Sequence, residues 1–272
     1  MKQVRGIGAK SRASLGKLMR GTRGSITVAE AARILNVRRP QAAQMLSRWS
    51  EQGWVSRIKQ GVYAPVPVEA ENADAAVVEP WLLAKVLFSP CYIGGWSAAE
   101  HWDLTEQVFH TTFVVTTKKV HKRKLNLKGA RFVVRTVLDK ALFGTKREWI
   151  GDQRVEVSDP TRTVLDLFND PSLGGGIRST LDIFESYMRS KHRDLRLLIE
   201  YGDKLQNSAV FKRLGFVLEQ GYADERETIA ACRMRIRPGY SQLDPAVPSK
   251  RLVTTWRLWV PESLLKKNEA GR

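Results

Sequence analysis

Residues 25–65 read SITVAEAARILNVRRPQAAQMLSRWSEQGWVSRIKQGVYAP, and this stretch decides the fold class. Ser25 or Thr27 is suited to cap a helix over 28–36, because a short hydroxyl side chain accepts from the free N–H groups of a first turn. Asn36 ends that helix, since asparagine tolerates the left-handed conformation of a helix stop. Arg38 and Arg39 follow. Pro40 suits the opening turn of a second helix, where its missing N–H has no intrahelical partner. On that helix Ala42, Met45, Leu46 and Trp49 fall three or four residues apart and form a buried stripe. Gln41, Gln44 and Arg48 share the opposite face, with Ser47 between the two. Residues 55–58 and 62–64 then read as short strands joined by Lys59-Gln60-Gly61, with Gly61 supplying a positive φ. Helix, tight turn, helix and hairpin in this order predict a winged helix-turn-helix, a module that seats its second helix in the DNA major groove.

The residue types on the outward face suit that task. Glutamine pairs bidentately with adenine and arginine with guanine, so Gln41, Gln44 and Arg48 are candidates to meet base edges, with Arg38 and Arg39 at the helix start as further DNA-binding candidates. Ser47 is placed to bond a phosphate. Arg57 and Lys59 in the wing would face phosphates or reach toward the minor groove. A preceding helix over roughly 11–20 brings Arg12, Lys17 and Arg20 near the backbone. The competing reading is a solvated face of a helical protein–protein module. Against it stands the charge of residues 1–68, which hold 13 Lys/Arg and two Asp/Glu. Such a block repels itself without a polyanion.

The whole chain is basic. Its 272 residues carry 45 Lys+Arg against 28 Asp+Glu, a net charge of +17. Counterion release makes nucleic acid the natural partner of such a surface, although charge alone does not separate it from an acidic protein or a membrane surface. The length suits two domains. Residues 69–79, EAENADAAVVE, reverse the sign with four acids and no base, and Pro65 and Pro67 precede them. The expected division is therefore a DNA-binding domain over 1–68, a linker over 69–79 and a mixed α+β domain over 80–272. Cys91 and Cys232 have neither disulfide-framework nor zinc-site spacing. The opening residues lack the apolar core of a signal peptide and no apolar run approaches a membrane span, so a cytoplasmic location is expected.

In 80–272, VEPWLLAKVLFS and WSAAEHW read as helices on either side of a turn at Gly94-Gly95. HTTFVVTT, ARFVVRTV and RVEVSD read as strands. DPTRTVLDLFND should be a helix capped by Asp159 with Pro160 in its first turn. LDIFESYMRSKHRDLRLLIEYGDKL and SAVFKRLGFVLEQG are helical by period, with Gly221 as a stop. CRMRIR and RLVTTWRLWV read as strands. The run TTKKVHKRKLNLKGAR holds Lys118, Lys119, Lys122, Arg123, Lys124, Lys128 and Arg131 and is expected to be a basic hairpin or a loop leaving a strand. It is a second phosphate-contacting surface, the site for an acidic partner, or a solvated hairpin whose lysines guard an edge strand.

Signs of catalysis are weak. The four histidines show no metal-ligand spacing, and no metal or cofactor is expected. Glu100 and His101 form an acid–histidine pair without a nucleophile. The strand around Glu156 lacks the lysine of a metal-dependent nuclease, and Gly174-Gly175-Gly176 is not followed by the Lys-Ser/Thr of a phosphate cradle. A non-enzymatic protein is the expectation.

With these residues laid out, the chain resembles the AbiEi family, antitoxins and transcriptional autorepressors of type IV abortive-infection toxin–antitoxin systems. The 25–65 segment looks like that family's winged helix. Tyr92-Ile93-Gly94-Gly95-Trp96-Ser97-Ala98-Ala99 and Leu104-Thr105-Glu106-Gln107 are similar to its Y-I…S-A…G-L-T-x-Q segment, with His101-Trp102-Asp103 where a His/Tyr-x-Gly is commoner. The stretch from Ser158 to Asp166 is similar to its S-x-x-R/K-T-x-x-D helix start. Phe211 to Glu219 is similar to its K-R-L-G-x-L-L-E helix. Arg237-Pro238-Gly239-Tyr240, Leu243-Asp244-Pro245 and Trp256-Arg257-Leu258 resemble its closing strands. The resemblance implies a repressor that binds inverted repeats upstream of its own operon, with a C-terminal domain that counters a nucleotidyltransferase-type toxin, by direct contact or without it. Two alternatives stand beside it: a stand-alone regulator whose second domain senses a ligand or protein, and a nuclease guided by a winged helix.

Overall fold

The computed structural model describes residues 8–22, 25–66, 79–127, 129–151 and 153–264. The expected linker over 69–79, apart from Glu79, and Lys128 lie outside the described residues. The chain is α+β, an N-terminal winged helix-turn-helix followed by a larger mixed α/β part. By chain contacts it divides into two compact units, 1–91 with 110–136 and 147–155, and 92–109 with 137–146 and 156–272.

The first unit begins with α1 (Ala9–Gly21), β1 (Ile26–Thr27), α2 (Val28–Leu35), α3 (Arg39–Glu51), β2 (Val55–Lys59) and β3 (Val62–Pro65), the strands forming a sheet in the order β1-β3-β2. Leu15, Leu18, Ile26, Ala31, Ala42, Leu46, Trp49, Val55 and Tyr63 make its buried core. Burying large side chains such as Leu and Trp contributes on the order of 1.5–3 kcal/mol each, and this outweighs the weak propensity of short helices. β1 is absent from the sequence reading; at two residues it has no period, and it exists only because it pairs with β3 at Tyr63 and Val62.

The same unit carries α4 (Pro80–Phe88), capped by the Glu79 carboxylate. It also holds β5 (Thr111–Thr116), β6 (Lys124–Leu127) and β7 (Ala130–Thr136), hydrogen-bonded in the order β6-β7-β5. β5 and β7 run parallel, while β6 and β7 form an antiparallel hairpin. The basic run is therefore a loop leaving β5, with Lys118, Lys119, Lys122 and Arg123, that leads into this hairpin, with Lys124 and Arg131. The Thr116 hydroxyl donates to the Phe88 carbonyl at 2.6 Å, and Phe88 meets Phe132 edge to face at 5.6 Å.

Strands β4 (Cys91–Ile93), β8 (Thr145–Ile150) and β9 (Gln153–Ser158) run in the order β4-β9-β8, and the division between the units falls within them. Neither β4 nor β8 was legible in the sequence.

The second unit is built on α6 (Pro160–Asn169), buried from Pro160 to Phe168. Around it lie α5 (Gly95–His101), α7 (Ile177–Arg189), α8 (Leu195–Leu205) and α9 (Ser208–Gly221), with α10 (Arg226–Met234) against α8 and α9. The long helical stretch 181–205 is broken after Arg189, because Asp194 leaves the helix to cap α8 and its N–H bonds the Tyr187 hydroxyl at 2.8 Å. The alternation in CRMRIR does not make a strand. Its first half, Cys232–Met234, ends α10, where Cys232 is buried, and the guanidinium of the next residue, Arg235, grips the Asp203 carboxylate at 2.7 and 2.8 Å. The segment 251–260 is two strands, β11 (Arg251–Val253) and β12 (Leu258–Val260), separated by a turn in which Arg257 takes φ 50°. The turn delivers Trp256 to α9. With β10 (Ser241–Gln242) they form a sheet in the order β10-β12-β11.

The motifs behind the family resemblance are the polar skeleton of this unit. Asp159 caps α6 and accepts from the Tyr201 hydroxyl at 2.9 Å. Arg162, 1% exposed, donates from Nε to Asp166 at 3.0 Å and from Nη2 to the Tyr92 hydroxyl at 3.1 Å, while that hydroxyl donates to Asp166 at 2.8 Å. Burial opposes the Arg162 charge, but Asp166 and Tyr92 outweigh it and raise its pKa; burial and Asp166 together hold the Tyr92 hydroxyl protonated. Nη1 of Arg162 has no hydrogen-bond partner among the described residues, and the Phe143 ring lies 4.0 Å from the guanidinium carbon. Lys212 donates to the Gly239 carbonyl at 2.7 Å, and Arg213 to the carbonyls of Gln242 and Phe168 at 2.9 and 2.8 Å. Gly215 is small because the Trp256 ring crosses it. Asp103, where a glycine is commoner in the resembling sequences, takes φ 55°.

Candidate nucleic-acid interface

The helix-turn-helix is assembled by local hydrogen bonds. Thr27, not Ser25, caps α2: its hydroxyl accepts from the Glu30 N–H at 3.2 Å, and the Glu30 carboxylate accepts the Thr27 N–H at 2.9 Å. Satisfying two free donors reciprocally is a capping box. Asn36 ends α2 at φ 54° and sends its N–H back to Ala32 and Arg33. α3 starts at Arg39 with Pro40 in its first turn, as expected. Gln41 has a structural partner that residue spacing does not show. The Gln41 side-chain oxygen accepts the Arg38 N–H at 3.2 Å, so one half of its amide closes the helix start.

The stripe of α3 is divided as its spacing predicts. Ala42, Leu46 and Trp49 are buried and Met45 packs partly against them. Arg38, Arg39, Gln41, Gln44, Ser47 and Arg48 are exposed. The Ser47 hydroxyl lies 3.5 Å from the Glu51 carboxylate, one turn further along the helix. In the wing Gly61 takes φ 76°, and its carbonyl accepts the Val28 N–H at 3.2 Å, which ties the wing to the start of α2. The register of β2 and β3 shifts between Arg57 and Lys59, and both side chains are exposed. On α1, Arg12, Lys17 and Arg20 are exposed while Leu15 and Leu18 face the core. Among the described residues none of these basic side chains makes an ion pair. Partial burial, then the charge of Lys118, lowers the Lys59 pKa.

Of the second basic group, Lys118, Lys119, Lys122, Arg123, Lys124 and Arg131 are exposed. Among the described residues no group of three or more His, Cys, Asp or Glu side chains is placed to hold a metal ion. None of the described helices is long and apolar enough to cross a membrane.

Three helices, a three-stranded sheet and an outward polar face on the second helix of the motif define a winged helix-turn-helix protein. The family model described as "Transcriptional regulator, AbiEi antitoxin" matches residues 17–66, from within α1 to the end of the wing, in accord with the likeness drawn from the sequence. The family of that description consists of regulators, which agrees with a DNA-binding role. The RV2827C protein from Mycobacterium tuberculosis, known from its crystal structure, is similar in fold, with a TM-score of 0.61 at 13% identity over 95% of this chain and 94% of that one. No curated protein matches the chain.

Proposed function

We propose that the protein is a cytoplasmic, non-enzymatic DNA-binding antitoxin that represses its own toxin–antitoxin operon. In this reading residues 1–68 are the DNA-binding domain, 69–79 the linker and 80–272 the antitoxin domain. The DNA partner is an inverted repeat in the protein's own promoter. α3 enters the major groove with Arg38, Arg39, Gln44 and Arg48 toward base edges, while Ser47, α1 (Arg12, Lys17, Arg20) and the wing (Arg57, Lys59) take phosphates. Gln41 keeps its amide N–H₂ free for adenine N7 while its oxygen caps the helix. The C-terminal domain counters a nucleotidyltransferase-type toxin of the abortive-infection type, with or without direct contact.

The observation that carries this reading is the outward face of α3, whose arginines are exposed and without acidic partners among the described residues. The match of residues 17–66 to a regulator and antitoxin family supports it. The test is footprinting on the DNA upstream of the protein's own gene, repeated with Arg38→Ala/Arg39→Ala. The double variant should bind at least about 2 kcal/mol more weakly, roughly 30-fold, the scale of base and phosphate contacts. Unchanged affinity refutes the role of α3, and the absence of a protected site refutes autoregulation.

A further inference from the structure

Two faces of the second unit expose apolar side chains beside charges of opposite sign. The first lies at the end of α5. Residues 86–117 hold no Lys or Arg, in a chain with 45 of them among 272 residues, and Glu100, Asp103 and Glu106 fall within that stretch. The Trp96 and Phe109 rings stack at 5.8 Å, and the Phe109 N–H donates to the Glu100 carboxylate at 3.3 Å. These contacts pin to α5 the loop that carries Val108, which is 73% exposed. Asp103 and Glu106 are exposed, and neither makes an ion pair among the described residues.

The second is the outer face of the β10-β12-β11 sheet. Leu258 and Val260 are fully buried and mark its inner side. Alternation along β12 then turns Trp259 outward, and the register sets Gln242 and Leu252 beside it. Tyr240, 63% exposed, lies 6.4 Å from the Trp259 ring. Lys250 and Arg257, which immediately precede β11 and β12, are exposed and make no ion pair among the described residues. The only acid between Thr228 and Pro261 is Asp244, which is buried and accepts the N–H groups of Ile177 and Ala246 at 2.9 Å.

Single apolar side chains on a surface are ordinary, but aromatic groups gathered beside charges of one sign mark contact sites. Two copies of a chain of net charge +17 repel at long range, so they associate only where the sign is locally reversed. The α5 face supplies that reversal, and the sheet face supplies its complement. A duplex suits neither, since its phosphates are repelled by the first and gain nothing from the apolar part of the second. We propose that the α5 face of one copy docks on the sheet face of a second copy. Val108 and Phe109 meet Tyr240 and Trp259, and Asp103 and Glu106 meet Lys250 and Arg257. This goes beyond the reading given above and does not depend on it.

The test is sedimentation of the full-length protein without DNA, at concentrations up to on the order of 100 μM. At about 0.15 M salt a Debye length of about 8 Å screens distant like charges and spares those in contact. The wild type should self-associate. Glu106→Lys/Val108→Ser and Tyr240→Ser/Lys250→Glu, all at exposed positions, should each weaken self-association at least about 10-fold. An equimolar mixture of the two variants should form a one-to-one complex, because each keeps the face that the other has lost. Thermal midpoints and affinity for a duplex should equal those of the wild type; where a double variant melts lower, Glu106→Lys and Lys250→Glu alone decide. A wild type that stays monomeric overturns the inference. So does self-association that survives in both variants, or a mixture that stays monomeric. Loss of duplex affinity in Tyr240→Ser/Lys250→Glu with self-association unaltered assigns the sheet face to DNA and overturns it as well.

Discussion

Replacing Asp166 by asparagine should be among the most damaging single changes in the second unit, although it alters shape hardly at all. Asp166 is 4% exposed and Arg162 1%. The carboxylate receives Nε of Arg162 at 3.0 Å and the Tyr92 hydroxyl at 2.8 Å. An amide removes the negative charge and presents one oxygen where two were used. The guanidinium then faces only neutral groups: the single amide oxygen, the Tyr92 hydroxyl, the Ala141 carbonyl at 3.1 Å and the Phe143 ring. A buried charge that loses its partner costs about 3–5 kcal/mol, a large part of the roughly 5–15 kcal/mol that holds a domain folded. At about 2–4 °C for each kcal/mol in a domain of this size, the melting temperature should fall by roughly 6–20 °C in calorimetry. Tyr92→Phe, which removes one hydroxyl, should cost about 1–3 kcal/mol. Arg162→Met/Asp166→Leu should be more stable than Asp166→Asn alone, because it removes both charges and fills their volume. A shift below about 1 kcal/mol for Asp166→Asn, or a double variant no better than the single one, refutes the argument that this pair is held by mutual compensation.

Two further perturbations concern the same unit and the thiols. A Cβ at Gly215 would lie 2.0 Å from the Trp256 ring, which is fully buried, so Gly215→Ala should cost about 3 kcal/mol or more and lower the thermal midpoint. An unshifted midpoint would mean that Trp256 can move aside. Burial pushes the thiol of Cys232 up to about 12 and that of Cys91 to about 11 from an ordinary value of 9.0. Both folded values are raised, so this contribution is whole below pH 9 and is lost as pH rises toward the folded values, by roughly 1.4 kcal/mol per pH unit and thiol. Urea midpoints should fall between pH 8 and pH 10, and Cys91→Ala/Cys232→Ala should flatten that fall; an equal fall in the double variant rules the thiols out.

The N-terminal module was legible because its signals are local. A threonine–glutamate box, an asparagine that accepts φ 54°, a proline in a first turn and a glycine at φ 76° each act within four residues. The apolar period of α3 needs no knowledge of the rest of the chain. Asp159 and Pro160 announced α6 in the same way. What the residues could not announce was a short strand without a period, such as β1 or β4, or a helix written with alternating residues, such as the end of α10.

Sequence alone thus determined the winged helix, its outward basic face and the mixed class of the larger C-terminal part, because capping, turn conformation and periodicity are satisfied by near neighbours. Tertiary structure decided the rest. Arg162, Lys212 and Arg213 look in the sequence like surface charges, yet they are buried, since Arg213 finds its acceptors 45 and 29 positions away and Arg162 meets Tyr92 across 70. Whether a cation is a ligand-facing group or an internal brace depends on which acceptors folding brings to it, and the chain order of those acceptors carries no mark of that encounter.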